Sequence, residues 1–274
     1  MTLPPPIDQS ALLGGLRFHY REWPNPGAQA LIVLHGVTGH ARSWDSFAAA
    51  MQASYHVYAL DQRSHGLSDW ADDYSAEAMS GDIDRFVHAL GLDQFDLLNL
   101  SMGGRNAYHY AATHPASVER LVIVDIGPEI HAAGATRITT SVRASDVFAS
   151  PDEAVARAGR ASPNADPAEL DHRVRNNLLL LDDGTWTFRY DRGLRTGERQ
   201  LPRADPETAW AMLAKITAPT LLIRGEVSDV LAPETAERMV RTIPDCRFAV
   251  VPGSGHGIPL ERPKGFLEAV RTFL

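Results

Sequence analysis

Short continuous apolar runs alternate along this chain with stretches in which apolar residues return every third or fourth position. The runs predict strands near 16–22, 30–34, 55–60, 95–100, 120–125, 219–224 and 247–251, since four to eight consecutive apolar residues suit a strand covered on both faces. The periodic stretches predict helices over 43–52, 76–90, 102–113, 233–242 and 260–273, with Pro233 opening one and His114-Pro115 closing another. Strand and helix in turn make an α/β fold, a mainly parallel, doubly wound sheet with helices on both sides.

The alternation breaks between Gly127 and about Trp210, where polar helical segments rich in Ala, Arg and Asp replace it. This reads as an insertion, 127–210, between two core portions, 1–126 and 211–274. Within it, Asp182-Asp183-Gly184-Thr185 followed by Trp186-Thr187-Phe188-Arg189-Tyr190 predicts a turn into an extended aromatic segment.

Candidate chemistry sits where strands end. Asp96-Leu97-Leu98-Asn99-Leu100 delivers Ser101 into Met102-Gly103-Gly104. A strand ending at Leu100 and a helix beginning at Met102 leave the serine on a tight turn, above a helix N-terminus that favours negative charge. A Ser-x-Gly triplet alone is common in solvated loops; the strand before and helix after set this one apart. Asn99 stands where the G-x-S-x-G pattern has its first glycine, a mild departure because Asn tolerates unusual backbone angles. Two further runs end in glycine-rich turns. Ala30-Leu31-Ile32-Val33-Leu34-His35-Gly36-Val37-Thr38-Gly39 continues as a loop able to offer a backbone N–H, with His35 read as structural. Phe248-Ala249-Val250-Val251-Pro252-Gly253-Ser254-Gly255-His256-Gly257 presents His256 on a free turn, and it is the histidine best placed for chemistry. A carboxylate is needed to hold its tautomer, and two compete: Asp125 and Asp229, each past a strand's carboxyl end, where open α/β sheets build their sites.

These motifs, in this order from Phe18 to Phe273, resemble the α/β-hydrolase superfamily. Asp61-Gln62-Arg63-Ser64-His65-Gly66-Leu67-Ser68 is similar to its structural D-x-R-G-x-G-x-S segment, with Ser64 replacing the first glycine. The resemblance implies an eight-stranded sheet, a helical cap formed by 127–210 after strand six, and an oxyanion hole from the backbone N–H groups of Val37 and Met102. It also implies a triad in the order Ser, acid, His, with Ser101 and His256 as nucleophile and base. Most of the superfamily carries the acid after strand seven, which favours Asp229. Ser101-Met102-Gly103-Gly104-Arg105-Asn106 followed by Val124-Asp125 is similar to the (acetamidomethylene)succinate hydrolases, which carry it after strand six. Gly225-Glu226-Val227-Ser228-Asp229 is one residue longer than the usual G-x-x-D spacing, so Asp125 is the preferred acid and Asp229 the alternative. Relatives that open epoxides or remove halides have Asp at the position of Ser101, which disfavours those chemistries.

Composition narrows the reading. At 274 residues and 44% hydrophobic, the chain can bury one large core. A net charge of −8 opposes nucleic acid or an anionic membrane as partner. The single cysteine, Cys246, excludes an internal disulfide and a cysteine-based zinc cluster. The N-terminal residues lack the basic and apolar regions of a signal peptide, and no run reaches a membrane span of roughly 20 apolar residues, so a soluble cytoplasmic protein is expected. Arg105, Arg137, Arg143, Arg173, Arg175 and Arg192 raise an anionic substrate, but the insertion's carboxylates make a mutually paired surface the competing account. Arg105 and Trp186 are candidate substrate contacts. The resulting expectation is a serine hydrolase, without cofactor or metal, cleaving a small-molecule carboxylic ester or amide through an acyl-enzyme. The alternatives are a non-hydrolytic receptor of the same fold and a cofactor-free haloperoxidase-like enzyme.

Overall fold

The continuous apolar runs become the middle of one eight-stranded sheet. The computed structural model describes residues 3–199 and 205–274. In chain order its first half holds β1 (Ile7–Leu13), β2 (Leu16–Trp23), β3 (Gln29–Leu34), α1 (Asp45–Met51), β4 (Tyr55–Leu60), α2 (Ala76–Ala89), β5 (Phe95–Leu100), α3 (Met102–Thr113) and β6 (Val118–Val124). An inserted stretch follows, with α4 (Ala132–Arg143), α5 (Pro151–Ala161), α6 (Pro167–Asn176), β7 (Leu178–Leu180), β8 (Trp186–Phe188) and α7 (Arg192–Thr196), after which α8 (Pro206–Leu213) leads back to the core. The chain then returns to the sheet as β9 (Thr220–Gly225), α9 (Pro233–Thr242), β10 (Cys246–Val251), α10 (Ile258–Glu261) and α11 (Pro263–Arg271).

Strand order is β1-β2-β4-β3-β5-β6-β9-β10. The β1–β2 and β2–β4 pairs are antiparallel and the rest parallel. Successive side chains on a strand face opposite ways. Leu97 and Ile123 therefore pack under Phe86 and Tyr110 on one face, while Leu98 and Val124 join Trp44, Phe47 and Phe266 on the other. Fully burying each such side chain contributes roughly 1.5–3 kcal/mol.

Three features depart from the sequence pattern. β1 was not anticipated, because an edge strand paired only with β2 needs no apolar face, and most of its residues are exposed. The last helix is two, α10 and α11, because Pro263 has no N–H to continue the ladder. The insertion ends earlier than Trp210: α8 buries Ala209, Trp210 and Leu213 in the main core.

The expected turn at Asp182–Thr185 joins the antiparallel pair β7–β8. Within the insertion, Ser150 and Asp166 cap α5 and α6, each followed by Pro at the first helical position. This part is tied to the core: Asn177 Nδ2 donates to Thr38 O (3.0 Å), Asp166 N to Leu260 O (2.9 Å), and His172 Nε2 meets Asp45 Oδ2 at 2.9 Å. By contrast α4 is mostly exposed, with Gly134 its one buried residue. Among the described residues, no helix is long and apolar enough to cross a membrane.

Candidate active site

Ser101 occupies the turn between β5 and α3 with φ 54° and ψ −117°, a region that costs a non-glycine residue of order 1–3 kcal/mol. The fold enforces it from both sides. Ser101 N donates to Val124 O (3.1 Å), and Ser101 O accepts from Gly104 N (2.8 Å). The following helix presses so close to β3 that a Cβ at Gly103 would stand 2.8 Å from Leu34 O and His35 O. A Cβ at Gly36 would stand 3.2 Å from that of Ser101. Asn99, in place of the usual glycine, is fully buried, and neither amide atom has a hydrogen-bond partner among the described residues.

His256, on the turn after β10, lies with Nε2 3.0 Å from Ser101 Oγ and Nδ1 2.8 Å from Asp125 Oδ2. Asp125 ends β6 in a left-handed conformation, φ 51°. Its carboxylate is buried; Oδ1 accepts from Gly225 N (3.0 Å) and Oδ2 from Ser228 Oγ (2.5 Å). These two donors on the β9 loop were not read from the sequence, where Ser228 gave no signal beyond its place beside Asp229. The alternative acid, Asp229, makes no bond to His256. It is held by Arg137 of α4 through bonds of 2.6 and 2.7 Å, and that guanidinium keeps its carboxyl below the usual range.

The loop after β3 is braced by buried side chains. Asp61 accepts from Ala41 N (2.5 Å) and Leu67 N (2.9 Å), and contacts His19 Nδ1 at 2.6 Å. Ser64 has φ 63°, which explains why the related segment carries glycine there. Burial pushes the pKa of His35 down to about 3 and that of His40 to about 4, so both are neutral near pH 7. Gln62 N donates to His35 Nε2 (3.0 Å), which leaves His35 Nδ1–H to donate to Gly36 O (2.8 Å). His35 is thus a loop fastener. Among the described residues, the N–H groups of Val37 and Met102 donate to no protein acceptor, and both residues line one cavity with Ser101.

That cavity has a volume of about 510 Å³. Ile126, Ile130 and Tyr108 give it apolar walls, and Ile138, Val142 and Leu194 cover it from the insertion. Arg105 lies on its wall, as do Arg143, Arg199 and Glu129. The Tyr108 hydroxyl is buried with no hydrogen-bond partner among the described residues, and burial raises its pKa to about 12. Trp186 is a correction to the sequence reading: it does not line the cavity, but packs with Phe148 and Leu178 under α5 and α6 and exchanges backbone hydrogen bonds with Phe148 (2.8 and 2.9 Å). A short apolar strand looks the same in sequence whether it faces a cavity or a satellite core.

Residues 29–263 match the family model of the alpha/beta hydrolase fold. The chain is 30% identical over 260 residues to esterase Rv0045c of Mycobacterium tuberculosis, covering 90% of this chain and 83% of that protein. It is 27% identical over 271 residues to 2-(acetamidomethylene)succinate hydrolase of Mesorhizobium japonicum, covering 98% and 95%. A crystal structure of E-2-(acetamidomethylene)succinate hydrolase superposes with a TM-score of 0.87 at 24% identity, covering 98% of each chain.

Proposed function

The chain belongs to the α/β-hydrolase fold family, and from that premise we propose that it is a serine hydrolase cleaving a small carboxylic ester or amide through an acyl-enzyme. The observation that carries this reading is the unbroken chain from Asp125 through His256 to Ser101, opening onto a cavity large enough for a small molecule. His256 Nε2 takes the Ser101 hydroxyl proton as Oγ attacks the carbonyl carbon, and the imidazolium is stabilised by the Asp125 carboxylate. The oxyanion that forms is held by the N–H groups of Val37 and Met102, which line the cavity with Ser101 and have no acceptor among the described residues. His256 then passes the proton to the departing alcohol or amine. Water, deprotonated by the same histidine, attacks the acyl-enzyme and releases the acid. The insertion between β6 and α8 acts as a cap that excludes bulk water and shapes the acyl and leaving-group pockets.

A fluorophosphonate probe tests the reading. It is expected to label Ser101 stoichiometrically, and Ser101→Ala should abolish labelling and lower turnover of nitrophenyl esters by about 10⁴-fold or more. Labelling at another residue with full activity in the variant would overturn it.

A further inference from the structure

His256 stands between Gly255 and Gly257, the residue type least able to hold a neighbour still, because a backbone without Cβ is the least restricted. One carboxylate fixes both sides. Glu261 Oε2 accepts from Gly255 N at 2.7 Å and Oε1 from Gly257 N at 3.1 Å, so the peptide N–H groups on either side of the histidine end on one rigid side-chain plane. The approach is close: a Cβ at Gly255 or Gly257 would stand 3.3 or 3.1 Å from Glu261 Oε1. The brace is itself anchored. Glu261 closes α10, whose Ile258 is fully buried in the core cluster of Trp44 and Phe266, and Leu260 O of the same helix accepts from Asp166 N of the insertion at 2.9 Å. A second carboxylate holds the turn further away: Glu226 Oε2 accepts from Gly253 N (2.8 Å), three residues before His256.

We propose that Glu261 is a positioning residue for the base, a role that rests on the serine-hydrolase reading for the word base, although the placement of the ring does not. It acts through the backbone of residues 255–257 and is not among the residues lining the cavity. The imidazole keeps one bond on each nitrogen, 2.8 Å to Asp125 and 3.0 Å to Ser101, and both weaken steeply if the ring turns out of line. Asp125 grips the ring at a single atom and leaves the Cα end free to swing about it. The two Glu261 bonds fix that end. They are charge-assisted, hence stronger than bonds to a neutral acceptor, and a misplacement of about 1 Å at a reacting group costs about 10²-fold in rate.

Steady-state kinetics and NMR on the full chain test the role. Glu261→Gln keeps the size but turns one acceptor into a donor facing an N–H. The kcat for nitrophenyl esters and the rate of fluorophosphonate labelling should then fall together by about 10- to 100-fold, with KM within about twofold of wild type because the cavity is untouched. Glu226→Gln is the control, expected to change kcat by about twofold or less; an equal loss in both variants would mean a general loosening of the turn and refute the proposal. The low-field proton signal of His256 Nδ1–H, assigned by its loss in His256→Gln, reads the ring without any turnover. It should broaden or move upfield in Glu261→Gln and stay in place in Glu226→Gln. Either a wild-type kcat or an unmoved signal in folded Glu261→Gln would overturn the proposal. Should that variant not fold, Glu261→Asp decides: a carboxylate one methylene shorter cannot span both N–H groups, so kcat should fall severalfold at constant KM, and a wild-type kcat counts against the role. A signal that moves in Glu261→Gln while Ser101→Ala keeps full turnover would instead refute the nucleophile and leave the positioning intact.

Discussion

Asp125 and Asp229 follow adjacent strands at one edge of one sheet, yet they meet different fates. Asp125 is buried, held in a strained conformation and supplied with two donors besides His256. Asp229 is one-third exposed and spends its charge on Arg137. The histidines divide the same way: His256 keeps a reachable ring between Asp125 and Ser101, while His35 and His40 are buried, neutral and used as fasteners. Residue type and sheet edge therefore do not assign a role; the pattern of donors around the group does.

The sharpest test of that contrast is a pair of isosteric changes. Asp125→Asn should lower kcat by about 10⁴-fold, because the amide selects the wrong imidazole tautomer. Asp229→Asn should cost tenfold or less by the same steady-state assay; the reverse order would exchange the two roles. A second test concerns the histidines and pH. Their folded-state pKa values of about 3 and 4 lie below the ordinary 6.5, so between those limits the unfolded chain binds more protons. Stability should be fully present above about pH 6.5 and fall as pH drops toward 4, by about 1.4 kcal/mol per unit for each histidine at the steepest part. Burial lowers the pKa of His19 too, but contact with Asp61 more than offsets it and leaves it raised, which opposes part of this loss. Urea melts across that window, repeated with His35→Gln, measure the contribution; an unchanged pH slope in the variant would show that the ring is not a neutral fastener. The donors around Asp125 come next. Ser228→Ala should reduce kcat by roughly tenfold, comparable to losing an outer partner of a catalytic group, with KM little changed. The smallest effect belongs to the exposed pair: Arg137→Ala should alter Tm by less than about 3 °C, the scale of a surface ion pair, while moving KM a few fold through the α4 roof.

The parts legible in the sequence were those that a strand end dictates. Ser101, His256 and the loop after β3 each follow a continuous apolar run, and such a run fixes where its last residue emerges. The choice of acid was only partly legible, because it depends on Gly225 N and Ser228 Oγ reaching across from the neighbouring strand, a contact that no spacing encodes. Trp186 was misplaced for a related reason: a three-residue strand has too few positions to show which face is apolar. Arg173 appeared only as one arginine among several in the insertion. Among the described residues its guanidinium has no side-chain partner, whereas Arg175, two residues on, pairs with Asp152 and Asp171 (2.6 and 2.8 Å).

The Asp61 and His35 brace has a consequence for how this enzyme can change. Ordering the loop after β3 loses conformational entropy once, as the chain folds, rather than at each encounter with substrate. On the proposed reading, the Val37 N–H carried by that loop is thereby preorganised independently of what fills the pocket. With the insertion acting as the proposed cap, substitutions there retune recognition while the sheet edge carrying Ser101 and His256 stays as it is, so divergence in specificity is separable from divergence in chemistry.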